Sequence, residues 1–301
     1  MGGYGTRGRD IVSGYLLLAP LIMVVATFSV YPVVYSLVLS LHRIVLSLPT
    51  LGEPWVGLDN YWTLVNDPVA RNSLGVTLIF VAVSTTLEIV IGLMLALVMN
   101  EAFRARSLVR AAVLIPWAIP TVIASQMWRF AFNDQYGVVN LLIFGPDVQF
   151  YEAWLASPFW ALAAIIVGDV WKTSSFAALI ILAGLQTIPN ELYEAATIDG
   201  ANAYQRLFHI TLPSVRSAIL LAVILRVMDA FRVFDLVYVM TQGGPGDATN
   251  VLQFFGYKTM FAQGMVGLGA AISIVAFVLV FGVCMLFVRL IGASMLERKE
   301  V

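Results

Sequence analysis

The sequence predicts an all-α, polytopic membrane protein with six transmembrane helices. Hydrophobic residues fill 60% of its 301 positions and charged residues only 12%. Soluble domains carry about 25% charged residues, so this chain has too few to clothe a core of its size. Mean hydropathy is +0.89. The apolar residues gather into six runs, each long enough for the roughly 20 residues a helix needs to cross a hydrocarbon layer. Lysine and arginine are also spread unevenly over the segments that join those runs.

The runs are Ile11–Leu41, Ser73–Met99, Val109–Phe132, Phe159–Leu185, Val215–Met240 and Val266–Ile291. The first follows Arg7 and Arg9 and so mimics a secretory leader. It is too long for a leader's apolar region and lacks a small-residue cleavage site, so it reads as a retained helix. Pro20 and Pro32 within it predict a kink or tilt. Pro116 and Pro120 predict a bend in the third run. The sixth contains Cys284, the one cysteine, which excludes an internal disulfide and makes a poor metal or redox site.

Charge sets the expected orientation. With the N-terminus inside, Arg7, Arg9, Arg104, Arg106, Arg110, Arg206, Arg216, Arg289, Arg298 and Lys299 lie on the cytoplasmic side. Arg43, Arg71, Arg129 and Lys258 lie outside, and Lys172, Arg226 and Arg232 fall within runs. Ten against four predicts both termini inside. The external stretches His42–Asn72 and Asn133–Pro158 are long enough for short helices and carry Trp55, Trp62, Tyr136 and Trp154 for the interface. Thr241–Asp247, with its Gly-Gly-Pro-Gly core, is a turn. A net charge of −1 points to no nucleic-acid partner.

The connector between the fourth and fifth runs is the most informative segment. Pro189-Asn190-Glu191 reads as a helix start, with Asn190 as cap and Glu191 at the positive end of the dipole. Leu192, Ala195 and Ala196 share one face, and Glu191 and Glu194 another. Gly200 suits a sharp reversal, since glycine takes positive φ without steric cost. A second short helix with Tyr204, Leu207 and Phe208 on one side is expected to end near Pro213. The result would be a helix–turn–helix on the membrane surface.

The order Glu194-Ala195-Ala196, Gly200, Ile210, Leu212, Pro213 resembles the EAA loop of binding-protein-dependent ABC importer permeases. Phe234–Tyr238 running to Gly243-Gly244-Pro245, and Asn100 closing the Gly92–Leu97 helix, resemble the carbohydrate-uptake branch. Glu88, Trp171-Lys172-Thr173 and the Leu225–Asp235 run are similar to trehalose/maltose-type subunits, whereas Ser217 stands where relatives commonly carry proline. The resemblance implies a type I ABC importer permease fold. Residues 1–72 would form an N-terminal transmembrane helix and external loop, and 73–301 a five-helix core with its coupling loop at 186–213. It also implies a second homologous permease, two ATP-binding subunits that hold ATP and Mg²⁺, and an external solute-binding protein. The coupling set would be Glu194, Ala195, Ala196, Asp199, Gly200, Tyr204, Phe208, Ile210, Leu212 and Pro213. No cofactor is expected on this chain.

Away from the run ends, seven acidic or basic residues fall within runs: Glu88, Asp169, Lys172, Arg226, Asp229, Arg232 and Asp235. Each costs about 2.5–3.5 kcal/mol at mid-bilayer and should face protein or water. Asp169 and Lys172 are spaced as an ion pair, and Arg226–Asp229–Arg232–Asp235 as an alternating ladder. Either these tie helices together, or some meet a polyhydroxylated solute. Asp229 and Arg232 with Trp171 and Lys172 offer the mixture of polar groups and aromatic faces that sugars need. Trp128, Arg129 and Asn133 mark an external gate.

The sequence has no phosphate-binding G-x-x-x-x-G-K-[ST] loop, H-E-x-x-H or G-x-S-x-G, and His42 and His209 lie outside the runs. ATP hydrolysis or another hydrolytic reaction by this chain is therefore not expected. A sugar importer subunit for a disaccharide such as trehalose or maltose is the reading favoured here. Its alternatives are a permease for glycerol 3-phosphate or another oligosaccharide, and a proton-coupled secondary carrier using Glu88 and Asp169. Such carriers usually show repeated halves, and this chain shows none.

Overall fold

The computed structural model describes residues 17–296, which form helices and loops without a named strand. Arg7, Arg9, Arg298, Lys299 and the first six residues of the expected first span lie outside them. Among the described residues, five helices are long and apolar enough to cross a membrane: Leu17–Ser40 (α1), Pro68–Asn100 (α3), Pro158–Leu185 (α7), Ala203–Ala230 (α9) and the Val266–Arg289 part of Val266–Leu296 (α12). A bent pair, Arg106–Ala118 (α4) and Thr121–Ala131 (α5), makes the sixth span by length and composition. Shorter helices are Asp59–Asn66 (α2), Val138–Phe144 (α6), Asn190–Ile198 (α8), Asp235–Met240 (α10) and Leu252–Tyr257 (α11).

The chain divides into two compact units. One takes in the described chain up to Asn66 together with Gly256–Val275; the other takes in Asp67–Phe255 and the chain from Ala276. In the first unit, Asn60 Nδ2 donates to the carbonyls of Ser40 (2.7 Å) and His42 (3.0 Å), and Leu46 N–H to Gly264 O (2.8 Å). A Cβ on Gly267 would lie 2.0 Å from His42 O, so only glycine permits that approach. The second unit contains every candidate site residue.

Prolines explain where the spans depart from expectation. The third span was expected to bend, but it breaks: α4 and α5 meet at 92°. Pro116 lies inside α4, whereas Ile119, just before Pro120, is extended at φ −71°, ψ 131°. The clash of a proline ring with the preceding residue drives that residue out of the helical region. The fifth span ends at Ala230, ten residues before the expected Met240, and α10 is a separate helix. It also begins earlier, because the connector's second helix does not stop at Pro213. Leu207–Thr211 widens into a π-turn in which Leu212 N–H bonds to Leu207 O, and the chain continues as helix with Pro213 in the next first turn. A wider turn accommodates a proline that lacks an N–H. Pro32 follows a π-turn at Ala26–Val30 in the same way.

Small residues bring the spans of the second unit together. A Cβ on Gly92 of α3 would fall 2.8 Å from Ala177 Cβ and 3.1 Å from Ala178 N on α7. A Cβ on Gly184 would fall 2.5 Å from Ala218 Cβ on α9. Close backbone approach of this kind holds helices together where lipid supplies no hydrophobic drive. Gly92→Leu should therefore separate α3 from α7 and destabilise the protein by about 1–3 kcal/mol or more. Thermal unfolding of the purified protein in detergent checks this. An unchanged midpoint would count against the packing.

Candidate functional site

Three spans supply the charges. Glu88 of α3 is fully buried, Arg226 of α9 is 2% exposed, and Asp169 of α7 is 7% exposed. Arg226 Nε donates to Glu88 Oε2 at 2.6 Å and Nη2 to Oε1 at 3.0 Å, a two-pronged pair. Nη2 also reaches Asp169 Oδ2 at 3.4 Å, and Nη1 reaches Asp229 Oδ2 at 3.0 Å. Thr173 Oγ1, on α7, lies 2.8 Å from Glu88 Oε1 and 2.6 Å from Asp169 O, with its single proton shared between the two acceptors. The planar guanidinium thus knots α3, α7 and α9, with all three nitrogens engaged. Asp229 is its open end, with a side chain 62% exposed.

Lys172 departs from the sequence reading. Among the described residues it makes no ion pair with Asp169. Its Nζ donates to the carbonyls of Trp117 (3.1 Å) and Ile119 (2.6 Å). The break at Pro120 strips those carbonyls of helical partners, and an unmet backbone acceptor away from water is costly. Ser175 Oγ adds a bond to Val113 O one turn further along. Lys172→Met should leave both carbonyls unsatisfied, lowering stability by about 1–3 kcal/mol per orphaned group. A guanidinium at the same place, in Lys172→Arg, should recover part of the loss in the same unfolding assay.

A cavity of about 280 Å³ opens beside this network, walled by Asp169, Lys172, Asp229, Arg232, Asp235 and Trp117, among others. Five expected pathway residues therefore meet there, and Glu88 lies behind the wall, reached through Arg226. Trp171 does not line it. It and Trp128 make an edge-to-face pair (5.7 Å) along a separate apolar cleft of about 530 Å³. Consecutive residues on a helix point about 100° apart, and here Trp171 and Lys172 face different spaces. Trp117 and Phe234 are the aromatic residues of the cavity, with Thr121 and Thr173 as further hydroxyls. The ladder is also interrupted: helix α9 stops at Ala230, so Arg232 lies in the turn and Asp235 starts α10.

The expected gate residues separate as well. Arg129 and Asn133 line another cavity, about 300 Å³, with Asp134, while Trp128 belongs to the apolar cleft. Asn133 Oδ1 accepts from the N–H groups of Gln135 (2.8 Å) and Tyr136 (3.1 Å), which fixes the start of the following loop. Asn140, not singled out from the sequence, is fully buried. It donates to Asn133 O and Glu152 O and accepts from Trp154 Nε1 at 2.8 Å, organising that stretch.

The connector is a helix, a tight reversal and a second helix that continues as the fifth span. Asn190 is the first helical residue and makes no capping bond; Pro189 precedes it. At the other end of α8, Ala201 N–H bonds to Ala196 O (2.8 Å) and Gly200 N–H to Thr197 O (3.1 Å). That pair of bonds is the Schellman closure, and it needs the positive φ that Gly200 shows at +78°. Asn202 and Gln205 then form a reciprocal capping box for α9, an N-x-x-Q signature legible in the sequence but missed. Glu194, Ala195, Asp199, Tyr204, Phe208 and Pro213 are exposed, and Ala196, Ile210 and Leu212 are half-buried. Tyr204 and Phe208 rings lie 4.5 Å apart, 69% and 46% exposed, and Ile198 is 86% exposed.

A family model described as binding-protein-dependent transport system inner membrane component matches residues 88–295. The chain belongs to that family. It is 42% identical over 281 residues to the trehalose/maltose transport system permease protein MalF of Thermococcus litoralis, covering 93% of this chain and 94% of that one. It is 39% identical to the trehalose transport system permease protein SugA of Mycobacterium tuberculosis, covering 96% and 92%. It is also 37% identical to the sulfoquinovosyl glycerol transport system permease protein SmoG of Agrobacterium fabrum, covering 94% and 91%. Among solved structures, a chain of a bacterial alginate ABC transporter in complex with its alginate pentasaccharide-bound periplasmic protein superposes with a TM-score of 0.78. The match covers 95% of this chain and 96% of that one at 22% identity, which shows the shared fold.

Proposed function

We propose that this chain is the membrane subunit of an ATP-driven importer for a saccharide, specifically a disaccharide such as trehalose or maltose. It forms half of the translocation pathway, and a second permease of similar fold forms the rest. Two ATP-binding subunits grip the connector from the cytoplasm, where ATP with its Mg²⁺ is bound and hydrolysed. An external solute-binding protein delivers the sugar, and both termini lie inside. Residues 1–72 act as an N-terminal helix and external loop, and 73–301 as the core.

The observation that carries this reading is the continuity of helix α9 from the exposed connector to Arg226 and Asp229 at the cavity. From Tyr204 to Arg226 at 1.5 Å per residue is roughly 33 Å. A motor moving Tyr204 and Phe208 would move the cavity wall with them. Alternating access needs a shift of only a few kcal/mol between two states. The carbohydrate relatives support a saccharide cargo, and their spread from disaccharides to sulfoquinovosyl glycerol supports the class more firmly than any one sugar.

The deciding experiment is uptake of labelled trehalose and maltose into proteoliposomes holding the complete transporter and its binding protein. Uptake that needs enclosed ATP is expected. Uptake by this chain alone, or driven by a proton gradient without nucleotide, would overturn the proposal. Glycerol 3-phosphate taken up in place of either sugar would replace the cargo but keep the machine.

A further inference from the structure

The wall of the 280 Å³ cavity carries a selectivity of its own, and we infer that it discriminates by charge: Asp229 and Asp235 accept hydroxyl donors from neutral saccharides and turn away anionic ones. This rests on the cavity being part of the sugar pathway, as proposed above.

The argument begins with which groups are already committed. Arg226 spends all three nitrogens on Glu88, Asp169 and Asp229. Lys172 gives two of its protons to the Trp117 and Ile119 carbonyls left bare by the broken span. Arg226 can turn towards a phosphate, sulfonate or carboxylate only by loosening its two bonds to the buried Glu88, and Lys172 only with its one remaining proton. The remaining cation of the wall, Arg232, is exposed, but it comes between Asp229 and Asp235, three residues from each, and all three line the cavity. Asp229 is the opposite case. Only Oδ2 is given to Arg226, and the side chain is 62% exposed.

Of the cavity's side chains outside the buried network, Asp229 and Asp235 stand against Arg232, which leaves one net negative charge on the part of the wall open to a solute. In a partly desolvated site, a second negative charge within a few ångströms is repelled by an amount that water would have screened away. A sugar hydroxyl meets the reverse situation: a carboxylate oxygen with spare lone pairs, and a bond to an ionised acceptor is stronger than one to a neutral acceptor. The Trp117 and Phe234 rings in the same wall offer faces for C–H surface.

The test is saturation-transfer NMR on the complete transporter in nanodiscs, without the binding protein. The probes are trehalose and trehalose 6-phosphate, which share a skeleton and differ in one charged group. Trehalose should bind at least about tenfold tighter, as one unscreened like charge requires. Asp229→Asn, which keeps the bond to Arg226 but loses the charge, should collapse that preference, while Asp229→Glu should retain it. Asp235→Asn provides a second reading should the first variant assemble poorly. Equal binding of both probes by the unaltered protein, or a preference untouched in both asparagine variants, overturns this inference alone. Binding of neither probe removes the saccharide role of the cavity as well.

Discussion

Arg226→Met should be the most damaging single substitution in the membrane-embedded core, costing about 3–5 kcal/mol because it strands a buried charge. Glu88 has no exposed surface and takes two of its three close donors from Arg226, the third being Thr173. Methionine fills the volume but returns nothing to the carboxylate. Folded protein in membranes should fall steeply, and what remains should unfold at a lower temperature in detergent. A designed partner distinguishes the cause. Glu88→Met together with Arg226→Met removes both charges and should recover much of the loss, since replacing a whole buried pair by apolar residues is often close to neutral. If Arg226→Met alone were as stable as the parent, the knot between α3, α7 and α9 would be ornamental. If the double variant were worse than the single, charge desolvation would be the wrong explanation.

How much of this was legible in the residues varies with the range of the interaction. Hydropathy located the five long apolar helices and the bent pair that makes a sixth by length and composition, because lipid imposes a length and a polarity on each span. Local geometry was partly legible: Gly200 was singled out as a reversal, and it adopts φ +78°. Asn190 was misassigned as a cap because three consecutive residues, Pro189 to Glu191, all suit a helix start and only backbone geometry chooses among them. Pro120 announced a bend but not a 92° break, since the angle depends on what stabilises the bared carbonyls. That stabiliser is Lys172, more than 50 residues away. The intramembrane charges were found by their cost, yet their pairing was not. Spacing of three suggested Asp169 with Lys172, whereas the actual partner of Asp169 is Arg226, from a different span. Continuity of the connector with the fifth span was hidden by Pro213, which normally ends a helix and here follows a π-turn.

Gly200→Pro and Glu194→Lys should each separate ATP hydrolysis from sugar uptake while leaving the protein inserted in the membrane. Gly200 sits at φ +78°, and proline is confined near −65°, so the reversal cannot close. Proline also deletes the N–H that bonds to Thr197 O and crowds Asp199 out of its helical conformation. Helix α8 would then leave the connector at a different angle, and its exposed face would no longer meet the motor together with Tyr204 and Phe208. Gly200→Ala keeps the N–H and adds about 1–2 kcal/mol of left-handed strain, so its defect should be intermediate. Glu194→Lys probes recognition without touching the fold. Lysine at 194 would face Glu191 three residues earlier, a pairing worth about 0.2–0.5 kcal/mol to the helix, so any transport defect cannot be attributed to a weakened α8. In proteoliposomes, uptake should fall at least about tenfold, as loss of one central interface contact of 1.4 kcal/mol or more requires. Hydrolysis should become indifferent to the loaded binding protein, and less ATPase subunit should co-purify with Glu194→Lys. Parental uptake by both variants would mean that force enters this permease somewhere other than the bend between α8 and α9.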